Sequence, residues 1–422
     1  NTMRVTFMQR SALVAIALLA FVCGLSAQPG ANRKGSLKPL TLVKSTPEEA
    51  GLSSANLLRA DEIINEAIAE KSIPGAVLAV VRGNKLAYLK AYGNKQVYPD
   101  TVKMTPNTIF DMASCSKSMG TAIAMMQLLE RGYYRLTDPV KMYIEGFEPY
   151  VDPQTGKKVD IRMVDLLTHS SGLPPYVAPD IIKKPYGNDK PESLLDWISH
   201  CKRDFRPTTD FQYSCLNFIT LAYILEKMTG MTLTEYAQKN IFDVMGMKNT
   251  SYSPKAQGKS EMMKLIAPTE KQADGSVLLG EVHDPLARVI NKGNSGNAGV
   301  FSNAEDIAIL VAALMNGGEI NGARVLGKAT IEIMSSVPKE TAKLGRSLGW
   351  DNYSPYASNN GNILHPTKTY GHTGYTGTSI VIDPVNNISV ILLTNRVHPE
   401  DKGGVVRLRA LVANVVAGSI VR

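Results

Sequence analysis

Cysteine is scarce in this chain, with four residues among 422. Cys23 lies in the N-terminal apolar stretch, which leaves Cys115, Cys201 and Cys215, an odd set that cannot form a complete disulfide framework. Their spacing matches no zinc-binding pattern. Tryptophan occurs only twice, and no low-complexity tract interrupts the chain. Charge of one sign is nowhere concentrated: the formal net charge is +8, but Lys and Arg are scattered among acids. That distribution argues against nucleic-acid binding and is compatible with weak attraction to anionic cell-envelope polymers. Long hydrophobic runs are missing as well. The longest, from Ala12 to Val22, is too short for a stable membrane span.

What surrounds that run is the layout of a secretory signal: Arg4 and Arg10 before it and small residues after it. Cleavage after Ala27 is expected, so that residues 1–27 form a signal peptide and the mature protein works beyond the inner membrane, in the periplasm or outside. Loss of Arg4 and Arg10 would leave a charge of +6. Lipidation at Cys23 is disfavoured because bulky Val22 precedes it. Residues 28–43 read as a flexible lead-in.

Periodicity organises the rest. Leu57, Ile63, Ile64 and Ala67 form one side of an amphipathic helix. "GAVLAVVRG" and "KLAYLKAYG" read as two strands joined by a turn at Gly83-Asn84, and "TSIVIDP" and "ISVILLTNR" as a second hairpin near the end. A last apolar helix covers about 404–418. The predicted fold is therefore α/β (α+β): an antiparallel sheet built from both chain ends (44–104 and 336–422), flanked by helices, with a mostly helical insertion at 105–335. The cleft between the two parts is where a ligand site is expected.

Three Ser-x-x-Lys sequences occur: Ser114 with Lys117, Ser199 with Lys202, and Ser336 with Lys339. Only the first opens a strong helical pattern, with Met119, Ala122, Ile123, Met126 and Leu129 on its apolar face. A serine there sits at the positive helix end, and a lysine one turn on projects from the same side. Enclosure would lower the lysine pKa and let it accept the serine proton. The local sequence is equally compatible with an N-cap serine beside a solvated lysine. Two further stretches matter. His372-Thr373-Gly374 precedes a strand, where small residues admit a substrate backbone and His372 and Thr373 can offer hydrogen bonds. Tyr213 stands at the mouth of another apolar helix, where it could relay protons.

With these three segments the chain resembles the beta-lactamase-related serine hydrolases, which include class C beta-lactamases, penicillin-binding D-alanyl-D-alanine carboxypeptidases, D-aminopeptidases and carboxylesterases. The resemblance runs from about residue 44 to the C-terminus and includes "IPGAVLAVV", "VDIRMVDLLTHSSGLP", "NAGVFSNAEDIA" and "LTNRVHP". It implies that Ser114 is acylated, that Lys117 and Tyr213 handle protons, and that His372, Thr373, Gly374 and Tyr375 face the substrate. The backbone N–H groups of Ser114 and Tyr375 would form the oxyanion hole. One departure stands out. Where the family has Tyr-x-Asn, this chain reads Tyr213-Ser214-Cys215, and literal matches occur instead at Tyr92-Gly93-Asn94 and Tyr186-Gly187-Asn188. Loss of the amide at Cys215 weakens the case for efficient beta-lactam hydrolysis.

His169 and His283 read as buried structural histidines, and nothing in the sequence places the pair His283-Asp284 beside Ser114. His200, His365 and His398 have no ligand spacing, so no metal and no cofactor is expected. The expected function is that of an exported serine hydrolase with D-Ala-D-Ala carboxypeptidase-like chemistry, acting on a small-molecule or peptide substrate. The alternatives are a carboxylesterase, a class C-like beta-lactamase, or a muropeptide- or penicillin-binding protein without turnover.

Overall fold

The computed structural model describes residues 38–421; the expected signal peptide and most of the lead-in lie outside the described residues. Alternating apolar residues build the central sheet. Strand β1 (Val43–Lys44) is followed by helix α1 (Ser54–Ala69), whose N-cap Ser53 accepts the Asn56 N–H and whose Leu57, Ile63, Ile64 and Ala67 are buried. Strands β2 (Gly75–Arg82) and β3 (Lys85–Gln96) then form the predicted hairpin, with Gly83 in the left-handed conformation its turn requires. The short β4 (Val102–Lys103) pairs with β3.

A small second sheet follows, made of β5 (Phe110–Asp111), β6 (Ser251–Tyr252) and β7 (Val300–Ser302), with β7 in the middle. Near the C-terminus β8 (Tyr370–Thr373), β9 (Thr378–Asp383) and β10 (Ile388–Thr394) complete the main sheet, whose order is β1-β3-β2-β10-β9-β8. The two chain ends meet where β2 pairs antiparallel with β10, Ala76 opposite Thr394 through Arg82 opposite Ile388. The sheet is mixed rather than wholly antiparallel, because β1 runs parallel to β3.

Strand alternation sorts the core into two layers. Ala76, Leu78 and Val80, with Val390 and Leu392, pack against α1 and the C-terminal helix Val406–Gly418. Val77, Ala79 and Val81, with Ile391 and Leu393, face a larger core that holds Met119, Phe218 and Ile307. Helix Ala304–Met315, inside the stretch read as an insertion, lies on β2 and β10, so the sheet and the helical region share this core. The helix after Ser114 contains a π-helical stretch at Lys117–Ala122 before regular turns at Ile123–Glu130. Gly120 within it packs on Tyr252, since a Cβ there would lie 2.2 Å from the Tyr252 hydroxyl.

Candidate active site

Ser114 stands at the junction between β5 and this helix. Ala113 just before it has φ of +45°, a left-handed conformation uncommon for a residue with a side chain. Buried Asp111 holds the turn in place: its Oδ1 accepts the Ala113 N–H at 2.8 Å and its Oδ2 accepts the His283 N–H at 2.8 Å. Burial raises the Asp111 pKa, against the lowering effect of those two amides. Thr376 and Thr378 close the other side, donating to the carbonyls of Asp111 and Met112. The turn is thus clamped to the segment that carries Gly374 and Tyr375.

Lys117 is fully buried, and its Nζ donates to Ser114 Oγ at 2.8 Å and to the Asn297 carbonyl at 2.9 Å. Cys215 Sγ lies 3.6 Å from the same nitrogen. The Tyr213 ring centroid is 5.0 Å away, and its buried hydroxyl closes no hydrogen bond. The lysine pKa departs from expectation. Burial is the largest influence and pulls it down, but the charges on Cys215 and Tyr213, when ionised, outweigh it and hold Lys117 above its ordinary range. Burial likewise pushes the Tyr213 phenol and the Cys215 thiol up, with Lys117 pulling the other way. The three groups therefore titrate as a coupled set.

The remaining predicted residues converge on one cleft of about 360 Å³, lined by Ser114, Tyr213, His372, Thr373, Gly374 and Tyr375 among others. The Thr373 hydroxyl makes no protein hydrogen bond among the described residues and is free to meet a ligand. His372 differs from expectation: Nδ1 pairs with the Thr373 carbonyl at 2.8 Å and Nε2 faces Arg346 at 3.4 Å, so the ring orients its neighbours rather than offering a free donor. Burial, then Arg346 and Lys117, push its pKa well below the usual range, and the ring is neutral. Gly374 has no room for a side chain, since a Cβ would come within 2.5 Å of the Met112 carbonyl. Among the described residues neither the Ser114 nor the Tyr375 N–H donates to a protein acceptor. Tyr375 itself is stacked on His283 at 5.8 Å, lies under the Arg396 guanidinium at 4.6 Å, and donates its hydroxyl to Asp401. Cys215 is half-buried beside Lys117, at the position where the family pattern has its asparagine.

The decoys fall away. Tyr92 donates to Asp61 and Tyr186 to Asp196, both away from Ser114. Ser199 and Ser336 donate to the carbonyls one turn before them, Leu195 and Glu332. Asn217 does not replace the missing amide, because it is tied to Ser171 and His169. His169 is buried and structural as read, lying 4.5 Å from the Tyr213 ring. Sequence reasoning missed Arg346, Arg396 and Arg409, which line the cleft from loops and the last helix. It also left His283 and Asp284 unplaced: His283 braces Asp111 and Tyr375, while Asp284 joins Asn297 beside Lys117.

A family model described as Beta-lactamase matches residues 60–414. The chain belongs to this family. A provisionally named D-alanyl-D-alanine carboxypeptidase of Escherichia coli (strain K12) is 31% identical over 406 residues, covering 91% of this chain and 90% of that protein. An N-acetylmuramyl-L-alanine amidase of Bacillus subtilis (strain 168) is 32% identical over 83% of each chain. Among solved structures, EstCE1, a hydrolase with promiscuous acyltransferase activity, superposes with a TM-score of 0.69 at 22% identity, covering 86% of this chain and 99% of that one. The class C beta-lactamase of Rhodobacter sphaeroides gives 0.65 at 21% identity over 86% and 99%. These two likenesses establish the fold. The protein is a beta-lactamase-family serine hydrolase with a mixed sheet flanked by helices.

Proposed function

We propose that this protein is a D-Ala-D-Ala carboxypeptidase-like enzyme of the cell envelope, cleaving a peptide beside a terminal carboxylate through an acyl-enzyme on Ser114. The observation that carries the reading is the charge of the cleft. Arg346, Arg396 and Arg409 all line it with Ser114, and Asp351 is the one carboxylate residue on the same wall. Arg346 is 2% exposed, keeps Asp351 at 3.4 Å, and has a buried Nε without a partner. Arg409 is 7% exposed and donates to the Gly374 and Thr378 carbonyls, adding its charge to the wall from behind. Three guanidinium groups against one carboxylate leave the cleft wall positive, which favours an anionic ligand, and a carboxylate matches a guanidinium's forked geometry.

In this reading Ser114 Oγ attacks the scissile carbonyl as its proton moves to the Lys117–Tyr213 pair, once that pair has lost its own extra proton. The oxyanion forms against the Ser114 and Tyr375 N–H groups. The proton then passes to the leaving amine, and water releases the acyl group by the reverse path. Thr373 and Arg346 hold the leaving residue's carboxylate. Relatives named carboxypeptidase and amidase support cleavage of an amide bond, and the basic and apolar N-terminal stretch supports export.

The test compares a peptide ending in D-Ala-D-Ala with its C-terminal amide. kcat/KM is expected to be at least about a hundredfold higher for the free acid, because the neutral amide gains nothing from the positive cleft wall. Equal rates on both, or labelling without turnover, would overturn the reading.

A further inference from the structure

Lys117 has no carboxylate in ion-pair contact among the described residues, although its ammonium is buried. Its second hydrogen bond goes to a main-chain carbonyl, that of Asn297, and the route onward from that residue is specific. The Asn297 side-chain amide donates to Asp284 Oδ1 at 3.1 Å, while its Oδ1 accepts the Ser295 hydroxyl at 2.7 Å. The amide is held from both ends, so its orientation is fixed. The loop that carries Asp284 is anchored on the nucleophile turn as well, through the His283 N–H to Asp111. Two neighbouring residues of one loop therefore grip the two sides of the site, the turn before Ser114 and the acceptor of Lys117.

We propose that Asp284 is a positioning residue for acylation: through Asn297 it fixes the carbonyl that receives the Lys117 ammonium, and its negative charge stabilises that ammonium. The proposal rests on Ser114 and Lys117 as the acylating pair. The groups facing Lys117 are Tyr213 and Cys215 from the start of helix Cys215–Thr229, His372 from β8, His169 from the loop behind Tyr213, and Cys115 on its own helix. His372 and His169 are buried and neutral, and Arg346 adds positive charge on their far side. Asp284 is the carboxylate among the influences acting on the lysine, and it acts to keep the proton there.

A structural role competes with this one. Asp284 Oδ1 also accepts the Ala287 N–H at 2.8 Å, as a cap for the short helical turn Leu286–Ile290. Asp284→Asn separates the two roles, because asparagine caps as well as aspartate but carries no charge. The readout is the pH dependence of kcat/KM for a p-nitrophenyl ester, which needs only acylation chemistry and not the peptide specificity proposed above. Removing the anion favours the neutral lysine, so the acid-side inflection should move to lower pH by about half a unit or more. The plateau kcat should fall roughly three- to tenfold with KM little changed, and Asp284→Glu should restore much of it. A profile of Asp284→Asn that superimposes on the parent, with Asp284→Ala only lowering the melting temperature, would show that the residue is a cap and overturn the proposal. Ester hydrolysis surviving in Ser114→Ala would instead overturn the acylating pair itself, and the proposal with it.

Discussion

Lys117 Nζ lies 2.8 Å from Ser114 Oγ, and that contact separates this serine from the other two that precede a lysine by three residues. Ser199 and Ser336 spend their hydroxyls on helix carbonyls. Ser114→Ala should therefore abolish covalent labelling by fluorophosphonate or penicillin probes, read by intact mass, while circular dichroism and melting temperature stay near the parent. Ser199→Ala and Ser336→Ala should label normally. Label retained in Ser114→Ala would place the nucleophile elsewhere.

Tyr213 is the tyrosine that joins the pair. Its hydroxyl is buried without a partner, whereas Tyr92 and Tyr186 are committed to Asp61 and Asp196. Tyr213→Phe should slow acylation by about a hundredfold or more, the usual scale of general acid–base assistance. Tyr186→Phe should leave it within about twofold, since its exposed pair with Asp196 contributes little. Stopped-flow labelling rates decide the matter, and a larger loss at Tyr186 would reverse the assignment.

Much of this was legible in the sequence where the signal was local. The hairpins of β2 with β3 and of β9 with β10 followed from apolar runs interrupted by turn residues, and the Ser114–Lys117 pair from two residues one turn apart on one helix. The parallel pairing of β1 escaped because two residues carry no periodicity. Arg346, Asp284 and Asn297 escaped for a different reason. They reach the site from loops more than 160 residues along the chain from Ser114, and only tertiary packing brings them there. The sign of the lysine shift was missed because burial is half of the balance; the ionisable partners Cys215 and Tyr213 decide the rest.

His169 and His372 set a pH limit on stability. Both are buried, and burial first, then nearby positive charge, hold their folded-state pKa values well below the ordinary one. The unfolded chain takes up a proton at each near pH 6.5, while the folded chain does not. Below that pH the unfolded state binds more protons, so stability falls as pH falls, by up to about 1.4 kcal/mol per pH unit for each histidine. The stability they contribute is present above the unfolded pKa and is lost toward acid. Urea unfolding between pH 7 and pH 5 should show this slope, and His169→Gln should flatten it by about one proton's worth. An unchanged slope in that variant would mean His169 protonates in the folded state.

Cys215 places a thiol 3.6 Å from Lys117 Nζ where the family pattern has an asparagine amide. The thiol touches the lysine directly, so its first effect falls on the lysine. An amide carbonyl at this position would accept a full hydrogen bond from the ammonium, and its N–H could reach forward to a bound acyl group. A thiol does the first weakly and the second poorly. Cys215→Asn should accordingly raise acylation by an amide or beta-lactam more than hydrolysis of an ester, which carries no amide N–H to be oriented. The ratio of kcat/KM values for the two substrate classes, in parent and variant, measures that difference in transition-state binding. A shift of roughly fivefold or more toward the amide class is expected, about 1 kcal/mol and the worth of one ordinary hydrogen bond. An unchanged ratio with an altered pH profile would confine position 215 to tuning the lysine.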